Sequence, residues 1–230
     1  AGENSPVLCY SFEQAAADDS GRYPLEVRGG AWVAATDDGN HVLYTGTGNG
    51  YALLSAAVGP EVMATLSGDY TISIDLCVGA DNALGSFCWA YGLTNGTNTY
   101  VGLVNAAGNN GWYYEIKDGA ALSVRSGKGL SVDAWHTVTL VQEGSTCTYY
   151  IDGVKAASST VTLKPSAFGA SLQDNYLGRS PFGGDAYMRN TMMDNFRVYD
   201  RALPAEEVAA LHEACPRSKE IVLDAERVLA

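Results

Sequence analysis

The feature that most constrains the fold is a series of short segments in which apolar and polar residues alternate. In residues 70–78, tyrosine, isoleucine, leucine and valine occupy every second position, with Thr71, Ser73 and Asp75 between them. A period of two is that of a β-strand with one buried face. The further strands predicted in this way are 7–13, 41–44, 51–54, 85–93, 100–104, 112–117, 121–126, 135–143, 146–151, 154–162, 175–178 and 193–199.

Turn signals separate these strands. Asp118-Gly119 and Asp152-Gly153 predict tight hairpin turns in which glycine supplies a positive φ angle, and a third turn is predicted at 143–145. Many short strands joined by regular turns are typical of a sandwich or jelly roll. We therefore predict an all-β fold, an antiparallel two-sheet jelly-roll sandwich.

The last predicted strand leads into a helix. Residues 193–199 alternate, so that Met193 is expected to share a face with Arg197 and Tyr199. Pro204 then lies in the first turn of a helix, with two glutamates close to the positive end of its dipole. We predict one short helix near the C-terminus.

Length and charge limit the possible functions. The chain has 230 residues, which fits one large all-β domain or two small ones, and a β-sandwich of this size is usually a single domain. The formal net charge is −12. Nucleic-acid binding needs a basic surface, which this composition excludes. No run of about 18 apolar residues is present, so membrane insertion by a helix is not expected. An acidic chain is compatible with neutral glycans and divalent cations. We expect that an export signal precedes Ala1 in the full-length protein.

The cysteines do not form a recognisable framework. They are Cys9, Cys77, Cys88, Cys147 and Cys215. An odd number at wide spacings, without a C-x-x-C pair, indicates neither a disulfide scaffold nor a metal site. Buried free thiols are the simpler interpretation, and a disulfide between Cys9 and Cys215 is the alternative.

Five segments, taken in order, resemble the motifs of the laminin-G-like, concanavalin A-like jelly-roll domains. They are VLCYSFE at 7–13 with DDSG at 18–21, YTGTGNGY at 44–51, WHTVTLV at 135–141 with YYIDGV at 149–154, NYLGR at 175–179, and the strand and helix at 193–212. The glycine that usually precedes the last strand is missing at 190–194. The resemblance predicts one domain at 1–214 and a linker, or the start of a further region, at 215–230.

This resemblance implies a non-catalytic accessory module of a secreted bacterial glycoside hydrolase or other polysaccharide-processing protein. Such a module binds carbohydrate or orients a neighbouring catalytic domain of the same polypeptide, in an extracellular, cell-surface or periplasmic location. The resemblance also implies one structural calcium ion, with Asp194, Glu13 and the Gly46 carbonyl as ligands, and mixed oxygen ligation suits Ca²⁺. The alternative is that Asp194 accepts hydrogen bonds from local backbone N–H groups.

Aromatic and amide side chains concentrated in 89–114 are candidates for a sugar-binding surface. The predicted carbohydrate-binding residues are Trp89, Tyr91, Tyr100, Asn110, Trp112 and Tyr114. In regular strands Trp89 and Tyr91 share one face, as do Trp112 and Tyr114. Sugars stack on accessible aromatic faces. The alternative is that these rings form the core between two sheets.

Catalysis has little support in the sequence. Glycosidases of the fold superfamily carry two carboxylates on an E-x-D-x-x-E strand, and this string is absent. If the chain is a hydrolase, Asp75, Glu115 and Asp133 are the acids to examine for a catalytic pair. A protein-interaction or adhesion domain is the other alternative.

Overall fold

The computed structural model describes residues 4–14 and 16–223, and these residues fold into two stacked antiparallel sheets. The strands are β1 (Leu8–Tyr10), β2 (Leu25–Arg28), β3 (Trp32–Ala35), β4 (His41–Tyr44), β5 (Tyr51–Leu54), β6 (Tyr70–Val78), β7 (Cys88–Asn95), β8 (Thr99–Asn105), β9 (Trp112–Asp118), β10 (Ala120–Arg125), β11 (Trp135–Glu143), β12 (Thr146–Ile151), β13 (Val154–Thr160), β14 (Asp174–Leu177) and β15 (Thr191–Tyr199). The α-helices are α1 (Val58–Glu61) and α2 (Ala205–Glu213).

The eight-stranded sheet has the order β13-β12-β11-β6-β15-β4-β3, with β1 paired to β15. The seven-stranded sheet has the order β10-β9-β8-β7-β14-β5-β2. Neighbouring strands run antiparallel throughout, as in the pairing of β6 with β11 and of β8 with β9. The predicted all-β jelly-roll sandwich with a C-terminal helix is confirmed.

One apolar face of each sheet contributes to a shared core. Ile72 and Ile74 of β6 are fully buried there, as are Val101 and Leu103 of β8 in the opposite sheet. Full burial of such a side chain stabilises the fold by roughly 1.5–3 kcal/mol. The period-two pattern of the sequence therefore specifies which face of each strand points inward.

The bounds of β4, β5, β6, β11 and β12 match their predictions, whereas β2, β3 and α1 were not predicted. Both missed strands have four residues, and Glu26 and Arg28 of β2 are exposed. Segments this short carry too little alternation to stand out, and pairing with neighbours determines them. The predicted hairpin turns are present, with Gly119 and Gly153 both at φ 76° and Gly144 at φ 56°.

The β2–β3 and β4–β5 connections cross between the sheets and touch each other. A Cβ on Gly29 would lie 2.1 Å from the carbonyl oxygen of Asn49, and one on Gly50 would lie 2.8 Å from the backbone nitrogen of Ala31. Only glycine permits such close backbone contact. These glycines hold the two loops side by side at one edge of the sandwich.

β15 does not alternate as predicted. Asn195 has φ 50°, and the register with β6 shifts between Asp194 and Arg197. A bulge of this kind turns the following side chains over. Met193 therefore faces the core together with Phe196, and the prediction that Met193 shares a face with Arg197 is wrong.

Helix α2 covers one part of the outer face of the eight-stranded sheet. Its Val208 is fully buried against Val141 and Tyr199. Pro204 is the N-cap with φ −67°, one residue before the first turn in which it was predicted. In the part of the chain that the structure describes, no helix is both long and apolar enough to cross a membrane.

The segment after α2, residues 215–221, also packs on this sheet, and we call it the C-terminal strap. The indole Nε1 of Trp135 donates a hydrogen bond to the carbonyl oxygen of Ser218 at 2.8 Å, and Ile221 forms a β-bridge with Thr36. The strap therefore packs against the sandwich, and the predicted domain boundary at residue 214 stays a prediction. Residues 224–230 of the predicted linker lie outside the described residues.

Candidate functional site

Three of the aromatic residues predicted to bind sugar lie between the sheets. Tyr91, Trp112 and Tyr114 are each fully buried in the main core. The hydroxyl oxygens of Tyr114 and Tyr70 are 2.9 Å apart, and burial raises the pKa of Tyr114 well above its usual value. The structure thus corrects the predicted placement of these three rings on a binding surface, because they present no face to solvent.

Trp89 and Tyr91 do not share a face, because the pairing of β7 with β8 changes register between them. Trp89 lies on the outer face of the seven-stranded sheet, directly over Gly102, where a Cβ would be 2.2 Å from its ring. Tyr100 packs edge-on against Trp89, with ring centroids 5.0 Å apart. The predicted shared face is therefore wrong, whereas Trp89 and Tyr100 do form an outer aromatic pair.

A loop covers this outer pair. The Trp89 indole Nε1 donates to Asp185 Oδ2 at 3.1 Å, and the Ser180 hydroxyl donates to the same oxygen at 2.6 Å. Phe182 of the loop lies 6.0 Å from the Trp89 ring, centroid to centroid. Only 2% of Trp89 and 3% of Tyr100 is exposed. Stacking of a sugar on either ring would require the loop to move.

Asn110 is not part of this pair. It is exposed in the turn between β8 and β9, where its Nδ2 donates to the carbonyl oxygen of Ala107 at 2.9 Å. The six predicted carbohydrate-binding residues are thus divided among the core, a covered outer pair and a turn.

The acids that the sequence offers for a catalytic pair, Asp75, Glu115 and Asp133, do not lie together. Asp75 projects from β6 onto the outer face of the eight-stranded sheet, where the Thr137 hydroxyl donates to it. Glu115 lies on the outer face of the other sheet and accepts a hydrogen bond from the Tyr100 hydroxyl at 2.6 Å. Asp133 precedes β11. Both layers of the sandwich separate Asp75 from Glu115.

The predicted calcium ligands do not converge. The Gly46 carbonyl accepts a hydrogen bond from the Asn190 N–H at 2.8 Å, and Asp194 is four residues further along, about 13 Å in an extended strand. Glu13 is hydrogen-bonded to His41 Nδ1 at 2.9 Å. Among the described residues, no three His, Cys, Asp or Glu side chains are grouped to hold a metal ion. This ligand set does not fit one ion as it lies, and calcium binding stays a prediction.

Asp194 instead forms a buried carboxylate pair with Asp75 across β15 and β6. Asn40 Nδ2 donates to Asp194 Oδ2 at 2.9 Å, and the Asn195 backbone N–H donates to Oδ1 at 2.7 Å, which is the alternative role expected for Asp194. Burial, and to a smaller extent the charge of Asp75, raise the pKa of Asp194 to about 7. The pair is a structural polar cluster under the strap and α2.

A cleft of about 590 Å³ lies beside the aromatic residues Trp32 and Tyr44. These two residues are direct cross-strand partners on β3 and β4, and their rings meet edge-on with centroids 4.8 Å apart. Both rings are half-buried, and Ile221 and Leu223 complete the apolar wall. The volume lies within the usual range of ligand pockets.

Glycine backbone forms the rest of this cleft. Its other lining residues are Gly29, Gly30, Gly46, Thr47 and Gly48. A Cβ placed on Gly30 or Gly48 would meet no atom within 4 Å, so both positions border open space. An aromatic pair beside uncovered peptide groups offers a stacking face together with hydrogen-bonding groups.

A second cavity, of about 270 Å³, also borders Tyr44 and Ile221. Its polar residues include Asn190, which accepts a hydrogen bond from the Tyr44 hydroxyl at 2.7 Å, and Lys219, whose Nζ donates to the Asp133 carbonyl oxygen at 2.8 Å. Burial raises the pKa of Tyr44, so its hydroxyl stays protonated at neutral pH. The second cavity adjoins the cleft at Tyr44 and Ile221. The cleft is mainly apolar beside Trp32, and the adjoining cavity is polar beside Asn190 and Lys219.

Sequence reasoning missed this cleft because β3 was not predicted. The match at 44–51 placed Tyr44 in a hairpin, but without β3 Trp32 had no partner. The available signal was the spacing of glycines, with Gly29-Gly30 just before the tryptophan and Gly46 just after the tyrosine. Small residues on both sides leave aromatic faces uncovered.

A sequence profile of the concanavalin A-like lectin/glucanases superfamily, of the laminin G type, matches residues 46–209. The chain therefore belongs to this superfamily. No curated protein sequence matches the chain significantly.

Solved structures with the same fold include binding domains of larger proteins. Domain 4 of AbnA, a GH43 extracellular arabinanase from Geobacillus stearothermophilus solved in complex with arabinotriose, is 15% identical with a TM-score of 0.69, covering 90% of this chain and 98% of that domain. The binding domain of Paraclostridial Mosquitocidal Protein 1 is 19% identical with a TM-score of 0.69, covering 92% of this chain and 52% of that one. The receptor binding domain of botulinum neurotoxin D is 14% identical with a TM-score of 0.65, covering 91% and 52%. The chain thus spans about half the length of the toxin domains.

Proposed function

We propose that this domain is a carbohydrate-binding module and that the cleft beside Trp32 and Tyr44 is its glycan site. The observation that carries the proposal is an accessible aromatic pair bordered by open glycine backbone. Membership of a lectin and glucanase superfamily supports it, as does the arabinotriose complex of a domain with the same fold. Neutral sugars suit the site because stacking and hydrogen bonds need no basic surface.

We further propose that the module serves a larger secreted bacterial glycoside hydrolase or polysaccharide-processing protein. It would bring polysaccharide close to a neighbouring catalytic domain in the same polypeptide, outside the cytoplasm. Among the described residues, strap and helix pack on the outer face of the eight-stranded sheet and leave the cleft beside Trp32 and Tyr44 accessible, as this role requires.

Isothermal titration with arabinotriose, xylotriose and cellotriose tests the glycan site. We expect one of these to bind the wild-type domain, and Trp32→Ala to weaken binding by roughly tenfold or more through loss of the stacking face. Gly48→Leu should have a similar effect by filling the cleft, since Gly48 does not need a positive φ and its Cβ would point into open space.

Phe87→Ala is the matched control, because Phe87 is an aromatic residue with 46% exposure that does not line the cleft. Its affinity should equal that of the wild type. Binding that survives both Trp32→Ala and Gly48→Leu would place the site elsewhere. Failure of all glycans to bind would favour a protein-interaction domain.

The calcium prediction has a separate test. Thermal melting with Ca²⁺ and with a chelator should show a higher Tm with Ca²⁺ if the domain binds the ion, and Asp194→Asn should abolish that shift. An identical Tm under the two conditions would argue against a calcium site.

A further inference from the structure

Four arginines in the described residues stack on tyrosine rings: Arg22, Arg125, Arg179 and Arg201. Three of them also have a carboxylate partner. The pairs are Arg22–Glu61 at 2.7 Å, Arg125–Glu115 at 3.5 Å and Arg201–Glu207 at 2.6 Å. Arg179 differs, because no acid within the described ranges forms an ion pair with it.

Arg179 is held by more rings than any of the other three. Its guanidinium carbon lies 4.7 Å from the ring centroid of Tyr176, 4.9 Å from that of Tyr51 and 5.6 Å from that of Tyr187. Its Nη1 donates to the Tyr51 hydroxyl at 2.9 Å. The guanidinium is therefore fixed in position with most of its five N–H donors uncommitted to the residues described.

This group lies on the outer face of the seven-stranded sheet, where β14 and β5 are neighbours. Tyr176, Arg179 and Tyr187 are half-buried, so solvent reaches the site. Arg28 of β2 lies beside Tyr51 and adds a second positive group, although Glu26 engages it at 2.9 Å. The result is a small cationic surface bordered by aromatic rings on a protein of net charge −12.

We propose that Arg179, with Tyr51, Tyr176 and Tyr187, binds the carboxylate of an acidic sugar. A fixed guanidinium accepts a carboxylate through two parallel hydrogen bonds, and the half-exposed rings suit the apolar face of a sugar. We assign this carboxylate to a sugar because Tyr176 and Tyr187 offer partly exposed stacking faces beside the guanidinium. The site is separate from the cleft beside Trp32, and it depends on the proposed function only in that both ligands are glycans.

Titration with trigalacturonic acid and with 3′-sialyllactose tests this site and distinguishes a uronic from a sialic acid source. The fully methyl-esterified trigalacturonate is the matched ligand, because it keeps the rings and loses the charges. We expect one acid to bind, its neutral counterpart to bind at least tenfold more weakly, and added salt to weaken binding of the acid. Arg179→Gln should reduce affinity for the acid roughly tenfold or more, and Arg179→Lys should reduce it less.

Arg125→Gln is the matched control variant, since Arg125 stacks on a tyrosine of the same sheet face but already has Glu115 as partner. It should bind the acid as the wild type does, and so should Trp32→Ala. Equal affinity for acid and ester, unchanged binding by Arg179→Gln, or a preference for polyglutamate would each overturn the proposal. If Arg179→Gln does not fold, the wild-type domain still tests the proposal, because its affinities for trigalacturonic acid and for the methyl ester can be compared. Acid binding without neutral-trisaccharide binding would overturn only the cleft assignment.

Discussion

The Trp89 indole ring lies over Gly102 because glycine has no side chain to occupy that space. The indole ring occupies the space that a Cβ on Gly102 would need, at 2.2 Å from that position. A Cβ on Gly92, the cross-strand partner of Gly102, would lie 3.1 Å from the same ring. A flat aromatic residue can therefore lie along the sheet, which a regular pair of larger side chains would prevent.

Gly102→Ala is expected to destabilise the domain by about 1–3 kcal/mol, because the added methyl group collides with the Trp89 ring. Urea unfolding followed by tryptophan fluorescence measures the change. Gly68→Ala is the control, since a Cβ there meets no atom within 4 Å. An equal loss of stability in the two variants would show that the ring does not lie over Gly102.

Asp194 gives a pH dependence at the same scale. Burial raises its pKa from 3.8 to about 7 in the folded protein, so folding favours the protonated form. Its contribution to stability is complete below pH 3.8 and is lost as the pH rises through 7. The free energy of unfolding of the wild type should therefore decline between pH 4 and 8. We expect this decline to be smaller in Asp194→Asn than in the wild type, even if the substitution also changes stability by a constant amount.

Asp174→Asn, at an exposed acid of the other sheet, should keep the wild-type slope. Parallel curves for Asp194→Asn and the wild type would mean that Asp194 is ionised throughout this range.

At the scale of elements, α2 is connected to the sheet by a carboxylate between two histidines. Asp152, in the β12–β13 turn, lies 2.8 Å from His136 Nδ1 of β11 and 3.5 Å from His212 Nδ1 of α2. The hydrogen bond that His136 Nδ1 donates to Asp152 raises the pKa of His136. For Asp152, burial acts to raise the pKa, but hydrogen bonds from His136 and the backbone N–H of Thr137 outweigh it and lower the pKa.

Because the pKa of His136 is raised on folding, its contribution to stability is full below pH 6.5 and disappears as the pH rises through the folded value. We expect the Tm difference between the wild type and His136→Gln to be largest near pH 6 and to shrink toward pH 8. Differential scanning calorimetry in closely matched buffers measures it. A constant difference across this range would assign His136 a packing role only.

The elements also show what a sequence can predict. β6 and β11 have nine residues each, and apolar and polar residues alternate over much of their length, so their bounds were predicted correctly. β3 has four residues and borders glycine turns, so only its pairing with β4 defines it. The cleft depends on that pairing, which explains why the fold was predicted and Trp32 was not. Local bulges at Asn195 and between Trp89 and Tyr91 move the side chains that follow them to the other face of the sheet. The alternation of apolar and polar residues in the sequence does not predict these bulges.

At the scale of the whole molecule, stability comes from the core and its outer covers, without disulfides. All five cysteines are free thiols. Burial raises the pKa of Cys88 and of Cys147 to about 12, which suppresses the reactive thiolate at neutral pH. The interpretation of the cysteines as free thiols is thus supported over a bond between Cys9 and Cys215.

We expect the Tm to be the same with and without dithiothreitol. Ellman's reagent at pH 8 should react slowly with the native domain and rapidly with all five thiols in denaturant. A Tm that drops on reduction would show that Cys9 and Cys215 are joined in solution.

The pairing of β1 with β15 and of Ile221 with Thr36 has a practical consequence for orientation. Leu8 lies in the eight-stranded sheet and Ile221 bridges to Thr36, directly after β3 of that sheet, so a tether attached at either of these described segments starts from that layer. A chip or bead coupled in this way would display the opposite layer, with Arg179 and its tyrosines, toward the sample. The direction in which the domain presents its two surfaces is thereby set by the layer against which Leu8 and Ile221 pair.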